Sequence, residues 1–164
     1  MLSTAGLTPV QENVFHFLAG KAELSSQFTA AETSHLEDVK VVMNYATDVF
    51  YALLLGVTII ITYSRKDKKI LSQLFEYGGK VTILSMLIIG GLSALFFEKV
   101  FTLFHALFFP QGNWLFAANS IIIQTFPQDF FISISRNTFL LSLVLGIVFI
   151  LLGHYFKNVH SNRP

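Results

Sequence analysis

The sequence predicts an all-α fold, a polytopic membrane helix bundle, and three observations carry that prediction. Hydrophobic residues make up 53% of the 164-residue chain and charged residues only 13%, with a mean hydropathy of +0.61, a balance foreign to soluble domains. Three apolar runs, 49–63, 81–97 and 138–156, are each about long enough to cross a ~30 Å hydrocarbon layer at roughly 1.5 Å per residue. The run 81–97, VTILSMLIIGGLSALFF, has no charged position, so it lacks the polar stripe a soluble helix would show.

The elements follow in order. Residues 1–45 are polar, with Glu12, Glu23, Glu32, Glu37 and Asp38 against Lys21 and Lys40. They lead into a first span over 46–63, completed by residues upstream of Val49. The stretch 64–80 then crowds Arg65, Lys66, Lys68, Lys69 and Lys80 together, and basic density beside spans marks the cytoplasmic side. That places 1–45 outside, the second span over 81–98 running outward, the region 99–136 outside, and the third span over 137–156 running inward. The tail 157–164, with Lys157 and Arg163, is cytoplasmic by the same rule.

Two stretches depart from a simple three-span pattern. A polar segment with no signal peptide has no obvious route across the membrane, so an upstream helix is expected and the chain reads as a fragment or short form of a four-helix protein. A natural three-helix protein with an outer N-terminus is the alternative. The outer stretch 99–136 is too apolar for a solvated loop, carries Trp114, and is interrupted by Pro127; a short re-entrant or in-plane helical pair fits it.

Composition also excludes chemistry. No cysteine means no disulfide, thiolate nucleophile or thiolate metal site. A net charge of +1 without a basic aromatic face gives no reason to expect nucleic acid.

Among the polar residues, Ser34 and Glu37 make a capping box that would start a helix at His35. A helix from there to Tyr63 would run about 44 Å and project above the bilayer. At a helix N-terminus the dipole disfavours imidazolium, so His35 would stay neutral and able to act as a general base. Asp38, three residues on, would bond His35 or an incoming amine. The competing reading makes this pair solvated helix-start decoration, and Lys40 a snorkelling interfacial residue. His105, on one face with Phe101 and Phe109, is a second functional histidine, an aromatic-belt residue or a histidine hydrogen-bonded to backbone. Asn44, Asp48 and Tyr51 form a polar stripe, so Asp48 should face the bundle interior or a watery cleft, for function or for an interhelical hydrogen bond. Arg136 reads as an interface anchor or a partner for an anionic group. His16, His154 and His160 receive no role.

Three pieces in this order, His35-Leu-Glu-Asp38-Val-Lys40, then Phe104-His105-Ala-Leu-Phe-Phe109, then Gly112-Asn113-Trp114 with Phe126-Pro127, resemble the bacterial lipoprotein intramolecular transacylase family. The resemblance runs from about residue 15 to about residue 155. It implies transfer of an acyl chain from the sn-2 position of a diacylglyceryl lipoprotein to the α-amine of its N-terminal cysteine, giving the lyso form, with no cofactor or soluble donor. The substrate would lie in the bacterial cytoplasmic membrane, with the site at its outer face. By the same resemblance His35 and His105 are the catalytic pair; the chemistry of the transfer needs a base and a carbonyl-polarising donor, assigned here to His35 as base and His105 as donor to the carbonyl or leaving oxygen, with the roles exchangeable. Asp38, Lys40, Asp48, Asn113, Trp114 and Arg136 are supporting or substrate-binding residues. The family pattern leads to the expectation of a further transmembrane helix ahead of the outer segment. A bis-histidine haem protein and a non-catalytic membrane scaffold are the rival readings.

Overall fold

The computed structural model describes residues 7–161, and every regular element among them is an α-helix. These are α1 (Pro9–Leu18), α2 (Ala30–Ser64), α3 (Lys68–Leu95), α4 (Phe97–Phe108), α5 (Ile121–Thr125) and α6 (Gln128–Ser161). Three of them, α2, α3 and α6, are long and apolar enough to cross a membrane. The residues group into two compact units, one of Met1–Val49 with Phe101–Ile132 and one of Phe50–Val100 with Ser133–Pro164.

The first unit has a small hydrophobic core. Val14, Phe28, Leu36 and Ile122 are buried at its centre, and Phe17, Phe116 and Phe126 pack against them. Local chemistry shapes the approach to that core. Thr8 and Gln11 form a reciprocal capping box around Pro9, which starts α1, and Gly20 ends the helix region with a φ of 70° that a side chain would resist. Asn13 then pins the connection to α2, donating to the Glu23 carbonyl at 3.0 Å and accepting from the Ser25 amide at 2.8 Å. Gln11 reaches the Thr125 carbonyl at 2.8 Å, which fastens α1 to the end of α5.

Helix α2 begins at Ala30, five residues ahead of the start expected from Ser34 and Glu37. The working capping box is Thr29 with Glu32: the Thr29 amide donates to Glu32 Oε2 at 2.8 Å and the Glu32 amide to Thr29 Oγ1 at 3.3 Å. At 35 residues the helix is about 52 Å long, far more than a ~30 Å hydrocarbon layer needs. The apolar stretch 46–63 fills its second half, and His35 and Asp38 lie in its first three turns.

The second unit is dominated by α3 and α6, which approach most closely at glycines. A β-carbon at Gly79 would meet the Gly146 carbonyl oxygen at 2.5 Å and the Ile150 nitrogen at 2.9 Å; one at Gly153 would meet the Glu76 nitrogen at 2.8 Å. Without a hydrophobic drive between helices in lipid, such close backbone contact supplies the packing energy. Phe75 adds to it, lying between the rings of Phe149 and Phe156 at 5.8 and 5.7 Å. Polar side chains in the apolar helices satisfy themselves: Thr58, Thr62 and Thr82 each donate to the carbonyl four residues back.

The basic stretch 64–80 is not the loop the sequence suggested, because Asp67 caps α3 by accepting from the Lys69 and Ile70 amides, so the helix begins at Lys68. The connection shrinks to a few residues. At the other end α6 runs from Gln128 to Ser161, past the expected limits 137–156 on both sides. Arg163 lies outside the described residues, as does the His160 side chain. The apolar stretch after α3 holds the two short helices α4 and α5, and Pro127 separates α5 from α6.

Candidate functional site

Early α2, the last two turns of α4 and the loop after it bring most of the singled-out polar residues together within the first unit. His35 is 6% exposed, on the second turn of α2. Its ring centroid lies 6.1 Å from that of His105, with the planes 26° apart, and it contacts Phe109 at 4.8 Å and Phe116 at 5.6 Å. His105 in turn lies against Phe101 at 4.0 Å and Trp114 at 5.0 Å. Two imidazoles seventy positions apart in sequence therefore share one aromatic enclosure.

The His105 ring is held in a definite form. Its Nδ1 lies 2.8 Å from the carbonyl oxygen of Phe101, one turn back on α4. A carbonyl only accepts, so Nδ1 carries the proton, and in the neutral ring Nε2 is the nitrogen with the lone pair. Burial lowers the pKa of His105 below the ordinary 6.5, opposed by that carbonyl. Burial also lowers the pKa of His35, helped by the neighbouring His105 and opposed by Asp38 and Asn113. Both shifts favour the neutral ring.

Asp38 bonds neither histidine. Its Oδ2 accepts from Gln111 Nε2 at 2.7 Å and from Asn113 Nδ2 at 2.6 Å. The glycine between those two amides, Gly112, has a φ of 77°, and this left-handed turn is what lets both side chains reach one carboxylate. Two polar atoms in this cluster are sealed from solvent without a hydrogen-bond partner among the described residues: His35 Nδ1 and Asn113 Oδ1.

The remaining candidates are not among the residues of this constellation. Lys40 sits over the Phe17 ring of α1 at 4.4 Å, a cation–π contact that fastens α1 to α2. Asp48 is exposed, together with Asn44 and Tyr51 of the same stripe, so of the two expected surroundings it is not packed in the interior of the first unit. Arg136 is exposed and belongs to the second unit.

Glu32 was missed as anything but one acidic residue among several. It is 1% exposed, and its Oε1 accepts from the Ile122 amide at 3.0 Å while Oε2 takes the amide and hydroxyl of Thr29. Desolvation alone would raise its pKa, but these donors, Ile122 foremost, outweigh it and hold the carboxyl below the ordinary 4.5. Its signal was Thr29-x-x-Glu32, a second capping box one turn ahead of the one read.

Comparison with known proteins follows from this geometry. The family profile described as lipoprotein intramolecular transacylase Lit matches residues 2–131, which include every residue of the constellation. A relative described as an uncharacterized protein of Aquifex aeolicus (strain VF5) is 28% identical over 130 residues, 77% of this chain and 56% of that protein. The chain therefore spans little more than half the length of the curated relative it matches. No solved structure matches.

Proposed function

Because the chain belongs to the lipoprotein intramolecular transacylase family, we propose that it is a multi-pass membrane enzyme that moves an acyl chain within a diacylglyceryl lipoprotein. The acyl group leaves the sn-2 oxygen of the glyceryl unit for the α-amine of the N-terminal cysteine. The ester C–O bond breaks, an amide C–N bond forms, and the lyso-form lipoprotein results. The observation that carries this reading is the pair of neutral imidazoles, His35 and His105, 6.1 Å apart in an aromatic enclosure.

The proton inventory suits such a pair. An α-amine has a pKa of about 7.7–8.0, so it arrives largely as ammonium. It must lose one proton to become a nucleophile and a second as the C–N bond forms, while the departing glyceryl oxygen gains one. The base was expected at His35 and the donor at His105. The Phe101 carbonyl favours the exchange: neutral His105 has no proton to offer at Nε2 and first accepts one there from the amine. The imidazolium so formed then returns that proton to the glyceryl oxygen. His35 takes up the other, with the charge of Asp38 nearby to tolerate it. Nucleophile and ester belong to one molecule, so positioning supplies much of the acceleration and no acyl-enzyme is required.

The basic residues Arg65, Lys66, Lys68 and Lys69 at the start of α3 support a cytoplasmic placement of that end, and hence a site at the outer face of the bacterial cytoplasmic membrane. The test is mass spectrometry of a lipoprotein's N-terminal peptide from cells expressing this chain or its His35→Ala and His105→Ala variants. N-acylated monoacylglyceryl cysteine is expected with the unsubstituted chain alone. Unchanged diacylglyceryl cysteine, with the protein folded in the membrane, overturns the proposal and leaves the scaffold reading.

A further inference from the structure

Buried polar atoms in native proteins almost always have partners, so two orphans in one cluster need a joint explanation. His35 Nδ1 and Asn113 Oδ1 are such a pair. The orientation of the Asn113 amide is not in doubt. Its Nδ2 donates to Asp38 Oδ2 at 2.6 Å and to Ser34 Oγ at 3.4 Å, and a carboxylate can only accept, so the nitrogen end must face Asp38. The oxygen end then faces neither Asp38 nor Ser34, and because those two residues flank His35 on α2 and Asn113 is among the neighbours that raise its pKa, His35 is the group left to supply a donor.

An amide oxygen only accepts, whereas a neutral imidazole nitrogen either donates or accepts according to its tautomer. Only the tautomer with the proton on Nδ1 satisfies both orphans; the other sets two lone pairs against each other in a buried site, at a cost comparable to a lost hydrogen bond. We propose that Asn113, oriented by Asp38 and by the Gly112 turn, is a positioning residue that fixes the neutral tautomer of His35 with its proton on Nδ1. Asp38 thereby governs His35 at second hand, without touching it. The consequence is that His35 and His105 share one protonation pattern, each with its lone pair on Nε2, one ring set by a backbone carbonyl and the other by a side-chain amide. The two rings then act as a matched pair of proton acceptors. This deepens the transacylase reading, on which the value of a proton-accepting Nε2 rests.

Nitrogen-15 NMR of the full chain, labelled at histidine and held in detergent micelles without substrate, tests it at neutral pH; a His35→Gln variant assigns the resonances. In the unsubstituted chain His35 is expected with a protonated Nδ1 and a bare Nε2. Asn113→Leu should move the tautomer ratio about tenfold toward protonated Nε2, the size of one lost hydrogen bond. Asp38→Asn should move it part of the way, because the amide is then free to turn. His105 should keep its form in both variants, anchored by Phe101. A bare Nδ1 on His35 in the unsubstituted chain overturns the proposal, and so does an unchanged ratio in Asn113→Leu with His105 undisturbed. If Asn113→Leu disturbs His105 as well, the fold has been damaged, and the unsubstituted chain and Asp38→Asn decide. Because no substrate is present, a negative lipoprotein assay would refute the activity and leave this result standing, and the reverse also holds.

Discussion

The carboxylate of Glu32 and the amide of Ile122, ninety positions apart in the chain, meet at 3.0 Å in a place that solvent does not reach. One oxygen caps the start of α2 through Thr29 and the other caps α5, so a single side chain ties together the two elements on either side of the histidine cluster. His35 stands three residues along α2 from this tie.

Glu32→Ala should be among the most damaging single changes in the first unit. It strands the buried amide of Ile122, at about 1–3 kcal/mol for a donor left unmet, and removes the part-buried cap on the Thr29 amide as well. Thermal unfolding in detergent measures it. The sign of the pH dependence follows from the lowered pKa: the carboxylate's contribution is complete above the ordinary 4.5 and fades as pH falls through the lower folded value. The difference in unfolding midpoint between the unsubstituted chain and Glu32→Gln should therefore be wide at neutral pH and shrink only below pH 4.5. A difference independent of pH would show that the charge is irrelevant.

On the transacylase proposal, the rate of acyl transfer at saturating substrate should stay level as pH falls through 6.5 and decline only below it. That proposal has both histidines working in the neutral form, and burial depresses the pKa of each from 6.5, so protonation of either sets in later than for a free imidazole. An acid limb at or above pH 6.5 would mean that the rings are better solvated during turnover than in the free protein.

Gly79→Ala and Gly91→Ala, both in α3, should part company. A methyl group at Gly79 runs into the backbone of Gly146 and Ile150, atoms with no freedom to swing aside, and overpacking of that kind costs about 1–3 kcal/mol. At Gly91 the added carbon finds nothing within 4 Å, so alanine there should be neutral or gain about 0.5–1 kcal/mol from its better helix propensity. The two midpoints of unfolding in mild detergent, taken against the unsubstituted chain, decide. Equal losses would remove the close contact of α3 and α6 as the reason.

How far these features can be read from the sequence depends on how local their causes are. The spans are legible because an uncharged apolar run such as 81–97 has no alternative to lipid, whatever surrounds it. The start of α2 was misplaced because Thr29-x-x-Glu32 and Ser34-x-x-Glu37 are equally good local signals, and what separates them is the amide of Ile122, ninety positions away. The basic-residue topology set His35 and His105 on one side and the family resemblance paired them, but their spacing in the chain says nothing of the 6.1 Å between the rings. The tautomer of His105 depends on the Phe101 carbonyl, and backbone groups leave no trace in composition. The stripe of Asn44, Asp48 and Tyr51 was real as a periodicity, but which way a helix turns its face is decided by its neighbours, and this face is exposed.

One consequence of the Asp38 arrangement reaches beyond the site itself. A single oxygen of that carboxylate takes two amide N–H groups from its own chain, and the imidazoles beside it are uncharged at neutral pH. The carboxylate charge is matched by no cation in this cluster among the described residues, so the centre offers no positive group to draw in an anionic headgroup from a distance. On the transacylase reading the substrate is lipid-anchored and has no need of that pull. It arrives by wandering in two dimensions, so the frequency of encounter is governed by the fluidity of the bilayer and the abundance of lipoprotein in it, and hardly at all by the salt in the water above.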